Sequence, residues 1–352
     1  MVLRYVRQAI RDLSGYVPGE QLARAGVVKL NTNENPYPPS PRVQEAIAAA
    51  ARSTLQRYPD PMAAEVRQRA AARYGVDVTQ VLVGNGSDEL LGLVMRACVE
   101  RGTRVAYPVP TYSLYDTLVA LQEGTSVHVP YGADWSLPRG LLEVNATLTC
   151  ICRPNSPSGT AVALGDVEAY ARSSKGLVLV DEAYADFGED TALPLVSRLD
   201  NVIVLRSFSK SFSLAGLRIG LAVGTTELIE VLARIKDSYN INRISLAAAA
   251  AALDDYEWMQ ANVERIRITR ERLTRSLKTL RFEVAPSHAN FVFARRPGTQ
   301  LEGLYLRLRA QGILVRYFAT PELRDGLRIT VGSDTEIDAL LDALAREGDD
   351  AD

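Results

Sequence analysis

Along the chain, two hydrophobic periods alternate. Short apolar or β-branched runs, VLV (81–83), RVAY (104–107), TLTCIC (147–152), GLVLVD (176–181) and NVIVLR (201–206), are separated by longer stretches of helical spacing. PRVQEAIAAAARS (41–53) opens on a proline, and SDELLGLVMRACVE (87–100) opens on a serine followed by two acids. Both are helix starts, because proline needs no N–H donor there and acids complement the positive end of the helix dipole. Strands apolar on both faces, joined by helices, predict an α/β fold with a mostly parallel sheet covered on both sides. Its chemistry is then expected in the loops beyond the carboxyl ends of the strands.

After about residue 255 the pattern changes. DYEWMQANVERIRITRERLTRSLKTL (255–280) reads as one long charged helix. Short strands follow near FEV, NFVFA, ILVR (313–316) and LRITVG (327–332), with helices over 301–310 and 334–346. This predicts a smaller α+β lobe over 261–352 beside a large lobe over 41–260. The first 40 residues, with GYVPGE and NTNENPYPPSP, read as an extended arm that joins part of the small lobe.

Composition narrows the function. The chain has 352 residues, and 40 Lys and Arg nearly balance 42 Asp and Glu, which gives no overall footprint for nucleic acid. The longest apolar run, LAAAAAAL (246–253), is far shorter than a membrane span, and MVLRYVRQAIRDL has no signal-peptide core. Three cysteines (Cys98, Cys150, Cys152) and two histidines make a disulfide framework or a metal site a poor fit. The expectation is a cytoplasmic protein without a metal.

Four strand-end loops carry candidate chemistry. In VLVGNGSDELL (81–91) the N–H groups near Gly86, Ser87 and Asp88 would form a phosphate site, although the same turn also serves as a plain strand-to-helix connection. A dinucleotide fingerprint would need glycine where Glu89 stands. CRPNSPSGT (152–160) reads alone as a turn. LVLVDEAYADF (177–187) sets Asp181 and Glu182 directly after four apolar residues, where a carboxylate is costly unless it meets a cation or donors. In RSFSKSFSLAGLRIG (206–220), Ser207, Ser209 and Arg218 suit a phosphate, and Lys210 suits a Schiff base. Pyridoxal phosphate would use all four loops: its phosphate needs N–H groups and cations, its phenolic oxygen donors, its ring nitrogen a carboxylate, and its aldehyde an amine.

These motifs, with RYPDP, PTYSLY, YNINRIS and ANFVF, resemble the fold-type I pyridoxal-phosphate aminotransferases, and within them the histidinol-phosphate branch. The resemblance implies a mostly parallel seven-stranded sheet between helices plus a smaller α+β domain. It makes Lys210 the lysine that holds pyridoxal 5'-phosphate covalently, Asp181 the partner of the ring nitrogen, and Asn155 and Tyr184 donors to the phenolic oxygen. Tyr112 would stack on the ring, and Ser87, Asp88, Ser207, Ser209 and Arg218 would hold the phosphate. Tyr58 would reach that phosphate from a partner subunit of a homodimer. Arg328 would bind the carboxylate of glutamate or 2-oxoglutarate, Arg316 and Tyr16 from the arm would be candidates for the phosphate of histidinol phosphate, and Asn33 would also bind substrate. Three positions depart from the family pattern: Ser156 and Ser158, where PNSPSGT stands for the commoner PNNPTGT, and Ser213, which stands for glycine.

The residues leave rivals open. An aromatic aminotransferase, a decarboxylase of a phosphorylated amino acid and a non-catalytic cofactor-sensing regulator share the scaffold. The arm is too short for the regulator's DNA-binding domain. A nicotinamide-dependent oxidoreductase would leave Lys210 without a role.

Overall fold

The computed structural model describes residues 2–349 apart from 14, 16–18 and 22–25. Its thirteen strands are β1 (Val28–Lys29), β2 (Val81–Gly84), β3 (Arg104–Val109), β4 (Thr125–Pro130), β5 (Leu148–Cys152), β6 (Leu177–Asp181), β7 (Val202–Ser207), β8 (Gly220–Val223), β9 (Glu283–Val284), β10 (Phe291–Arg295), β11 (Ile313–Leu314), β12 (Arg316–Tyr317) and β13 (Gly326–Thr330).

A seven-stranded sheet runs in the order β2-β8-β7-β6-β5-β3-β4. The strands from β7 to β4 are parallel neighbours, and β8 runs antiparallel to both β7 and β2. Two reversals restore direction, so β2 ends at the same edge as β5, β6 and β7. Four loops therefore converge there: the Gly84–Ser87 turn, the loop after Cys152, the turn after Asp181 and the lysine loop after Ser207. β5, β7 and β8 are buried at every residue, as expected for strands covered on both faces.

The helices that cover the sheet start where local chemistry allows. Pro41–Ala51 begins with the Ser40 hydroxyl accepting from the Val43 N–H at 3.2 Å, and Thr225 does the same for Thr226–Ile235. The 24-residue helix Tyr256–Thr279, about 36 Å long at the usual rise, buries Met259, Val263, Ile266, Leu273 and Leu277 along one stripe. It leads to a four-stranded antiparallel sheet, β12-β13-β10-β9.

Three details differ from the sequence pattern. The ILVR run divides: β11 pairs in parallel with β1, while β12 pairs with β13. Two strands of the large sheet, β4 and the four-residue β8, do not stand out in the pattern. Residues 28–35 are not peripheral, for Leu30, Asn31 and Asn33 are buried. Among the described residues no helix is long and apolar enough to cross a membrane, and no cluster of His, Cys, Asp and Glu is arranged for a metal.

Candidate active site

The four loops open into one cavity of about 950 Å³, lined by Ser87, Asp88, Tyr112, Asp181, Tyr184, Ser207, Ser209, Lys210 and Arg218, and on the small-sheet side by Arg316 and Arg328. The Lys210 amine donates to the Thr32 carbonyl at 3.1 Å. Burial, and then the nearby Arg328 charge, lower its pKa to about 8, so a neutral amine is accessible near physiological pH. Asp181 is buried at the end of β6, where its Oδ2 accepts from the Tyr115 hydroxyl at 2.9 Å and its Oδ1 from the Ala183 N–H at 3.2 Å. Burial outweighs these bonds and raises its pKa to about 6. Such a carboxylate gains most from a cationic N–H donor.

At the far edge, Arg218 donates to the Ser209 hydroxyl at 3.2 Å and to the Asp88 carboxylate at 3.1 Å. Asp88 also accepts from the Tyr112 hydroxyl at 3.2 Å. Gly86 has φ +84°, and a Cβ on it would lie 2.8 Å from the Arg218 guanidinium. A Cβ on Gly220 would lie 2.6 Å from the Ser87 nitrogen. The two glycines thus let a helix N-terminus, two serines and an arginine close round one point, an anion cradle. The donor set fits pyridoxal phosphate: a cradle for the phosphate, a buried acid for the ring nitrogen and a buried amine for the aldehyde.

The arm does more than its composition implied. Asn33 (φ +55°) donates from Nδ2 to the Tyr184 hydroxyl at 3.0 Å, and its Oδ1 accepts from Thr330 at 3.1 Å. Its carbonyl accepts from Asn290, so its polar groups are engaged by the protein while it borders the cavity. Burial raises the Tyr184 phenol to about 12, which keeps it a donor. Asn35 donates to the Lys210 and Ser211 carbonyls at 3.0 and 3.2 Å, fixing the backbone that carries the amine. Neither Thr32, Asn35 nor Tyr115 was legible as a site residue; only their neighbours' motifs pointed there.

The loop after β5 brings a different residue forward from the one its motif suggested. Asn155 donates to the Pro110 carbonyl and to the Ser158 hydroxyl at 3.1 and 2.9 Å, and accepts from Thr111 at 2.7 Å. Its amide is thereby directed into the loop, and Ser156 and Pro157 line the cavity. Tyr58 lies outside the cavity, 76% exposed and stacked on Tyr239 at 4.3 Å. Tyr16 falls outside the described residues. His128 borders the cavity against Asp116 at 2.8 Å, and His288 is half-buried with a lowered pKa.

A family model described as aminotransferase class I and II matches residues 25–344. The chain belongs to the class I and II aminotransferases. It is 44% identical over 342 residues to histidinol-phosphate aminotransferase 1 of Trichormus variabilis, covering 97% of this chain and 98% of that one. It is 45% identical over 345 residues to histidinol-phosphate aminotransferase 1 of Bradyrhizobium diazoefficiens, again over 97% and 98%. The crystal structure of histidinol-phosphate aminotransferase from Sinorhizobium meliloti, in complex with pyridoxal-5'-phosphate, matches with a TM-score of 0.91 at 30% identity over 98% of both chains. The seven-stranded sheet is thus that of a fold-type I aminotransferase, as the strand pattern and motifs implied.

Proposed function

We propose that the protein is a pyridoxal-phosphate-dependent aminotransferase that moves an amino group between L-histidinol phosphate and 2-oxoglutarate, with ping-pong kinetics, in histidine biosynthesis. The observation that carries this reading is one cavity holding a buried amine of lowered pKa, a buried carboxylate and two arginines at paired strand positions. When bound, the cofactor supplies an aldehyde that takes up the amino group and a ring that accepts the electron pair left at the substrate's Cα.

The protein's own groups do the rest. Lys210 would hold the cofactor covalently, and its amine of lowered pKa would serve as the base that takes and returns the proton of the substrate's Cα. Asp181 keeps a proton on the ring nitrogen, and the Tyr184 hydroxyl donates to the phenolic oxygen. Ser207, Ser209, Arg218 and the N–H groups of Ser87 and Asp88 hold the phosphate, and Tyr112 covers the ring face. Arg316 and Arg328 bind the substrate's phosphate or carboxylate, because guanidinium groups serve both anions by paired hydrogen bonds.

A homodimer completes this site in our reading, with Tyr58 reaching the neighbouring cradle. Its support is the exposure of the apolar side chains of Leu55, Tyr58, Met62 and Tyr239, of which the two tyrosines stack on each other.

The test is a single half-reaction. Enzyme loaded with cofactor is mixed with L-histidinol phosphate, or with phenylalanine, without a keto acid, and the cofactor's visible absorbance is followed. Much faster loss with histidinol phosphate is expected. Faster loss with phenylalanine would turn the reading to an aromatic aminotransferase, a rival favoured by the rings of Tyr131, Trp135 and Phe318 in the cavity wall.

A further inference from the structure

We infer that Glu89 is a positioning residue, whose carboxylate holds the turn of the phosphate cradle from behind and leaves the helix N–H groups in front to the ligand. The inference rests on the proposed cofactor. It gives a role to the acid that stands where a dinucleotide fingerprint needs glycine.

The helix Ser87–Cys98 starts on Gly86 and has no side-chain cap. A hydroxyl or carboxylate at that place would accept from the second or third N–H of the helix, as Ser40 and Thr225 do for theirs. Such a cap would occupy a donor that an anion needs. Glu89, the third residue of the helix, reaches back past Gly86 instead, and its Oε2 accepts from the Asn85 N–H at 2.5 Å. This is the returning half of a capping box, shifted by one residue. The Gly86 N–H closes the turn on the Gly84 carbonyl at 2.9 Å. The turn is thus fixed by bonds that spend neither the Ser87 nor the Asp88 N–H.

A carboxylate so near an anion site has also to be kept from it. Asn240 Nδ2 donates to the same Oε2 at 2.7 Å, and Lys236 Nζ lies 3.4 Å from the Asn240 Oδ1. None of Glu89, Asn240 and Lys236 lines the cavity, whereas Ser87 and Asp88 do. Asp88, the acid that faces the cradle, is paired with Arg218. Glu89 therefore acts through an accepting oxygen, and its negative charge is incidental to that task. A glutamine, whose amide oxygen also accepts, should do the same work without repelling a phosphate.

The experiment titrates the cofactor-free enzyme with pyridoxal phosphate and with pyridoxal, which has the same ring and aldehyde but no phosphate. Binding is followed by visible absorbance, and the urea midpoint of each cofactor-free variant is measured alongside. Glu89→Ala is expected to weaken pyridoxal phosphate about fivefold, the size of a lost helix cap, and pyridoxal less than about twofold. Glu89→Gln should bind pyridoxal phosphate at least as tightly as wild type. Equal weakening of both ligands, with a lower urea midpoint, would mean that Glu89 only stabilises the fold and would overturn the inference. Glutamine as poor as alanine would overturn it too, since the charge would then be the working feature. Wild-type enzyme that prefers pyridoxal phosphate to pyridoxal, with Glu89→Ala keeping that preference in full, refutes the role of Glu89 alone. Wild-type enzyme that binds the two equally refutes the cradle, and this inference with it.

Discussion

Asp181 and Glu182 are consecutive, yet their carboxylates face opposite layers of the molecule. Asp181 lines the cavity beneath Tyr115, while Glu182 turns behind it to Arg206 Nη1 at 2.9 Å and Arg153 Nη1 at 3.7 Å. The alternation of side chains at the end of β6 separates a carboxylate that meets ligand from one that meets protein.

Asp181 should therefore cost stability until a ligand is present. Burial raises its pKa from 3.8 to about 6, so between those values the folded chain keeps a proton that the unfolded chain has released. Stability of the cofactor-free enzyme then falls as pH rises through that window, by on the order of 3 kcal/mol for this group. Asp181→Asn removes the penalty. In urea unfolding without cofactor, the variant is expected to gain on wild type between pH 4 and pH 7 and to lose most turnover once loaded. Parallel stability curves would show that Asp181 does not titrate as stated.

Glu182 should behave in the opposite way. Its carboxylate is fully buried and accepts from Arg206, from the Thr191 hydroxyl at 2.5 Å and from the Ala192 N–H at 2.6 Å. Arg206 also pairs with Asp186, which accepts from the Ser211 hydroxyl, and Arg153 pairs with Asp190. Removing one member of a buried ion network leaves its partners short of charge, and Glu182→Gln is expected to cost about 3 kcal/mol. Asp186 and Asp190 remain to hold the arginines, so the variant should still fold. An unchanged urea midpoint would show that these arginines do not depend on Glu182.

The contrast between these two residues marks where the sequence is legible. An acid pair after four apolar residues announces burial, and a lysine among serines with Arg218 announces an anion beside an amine, because both are side-chain chemistry written locally. The alternating periods likewise gave five of the seven strands of the large sheet to within a residue or two, but neither β4 nor β8. What was not legible depends on distant backbone. Lys210 is met by the Thr32 carbonyl, 178 positions away, and a carbonyl leaves no trace in residue identity. Asn155 turns into its own loop because Pro110 and Thr111, beyond the end of β3, hold its amide. The ILVR run divides for the same reason: β1 and β13 claim its two halves from opposite ends of the chain.

Ser213 offers a test of local strain. It has φ +61°, in the left-handed region, and its buried hydroxyl has no hydrogen-bond partner among the described residues. The geometry gives a reason for glycine at this place in related loops, since glycine alone enters that region without a Cβ clash. Ser213→Gly relieves about 1 kcal/mol of backbone strain and a similar cost from the hydroxyl, against somewhat less than 1 kcal/mol of added unfolded-chain entropy. The variant should unfold at a higher urea concentration, by about 1 kcal/mol at unchanged slope. A lower midpoint would mean that the neighbouring chain relies on the hydroxyl.

Lys210 carries the remaining prediction, because its acidity has three separable causes: burial, then the charge of Arg328, then that of Arg218. Burial comes first and the positive charge of Arg328 second in lowering the amine from 10.5 to about 8. Since the folded value lies below the unfolded one, this group costs stability in full below about pH 8, and the cost is relieved as pH rises towards 10.5. Its free-base fraction can be read in the cofactor-free enzyme from the rate of carbamylation by cyanate, followed by mass spectrometry of the lysine peptide. The rate should rise with a midpoint near 8. Arg328→Gln removes the like charge but leaves the burial, and is expected to move the midpoint upward without restoring the value of an exposed lysine. Were the midpoint to stay in place, Arg328 would be too well screened to act on the amine, and burial with the Arg218 charge would have to account for its reactivity.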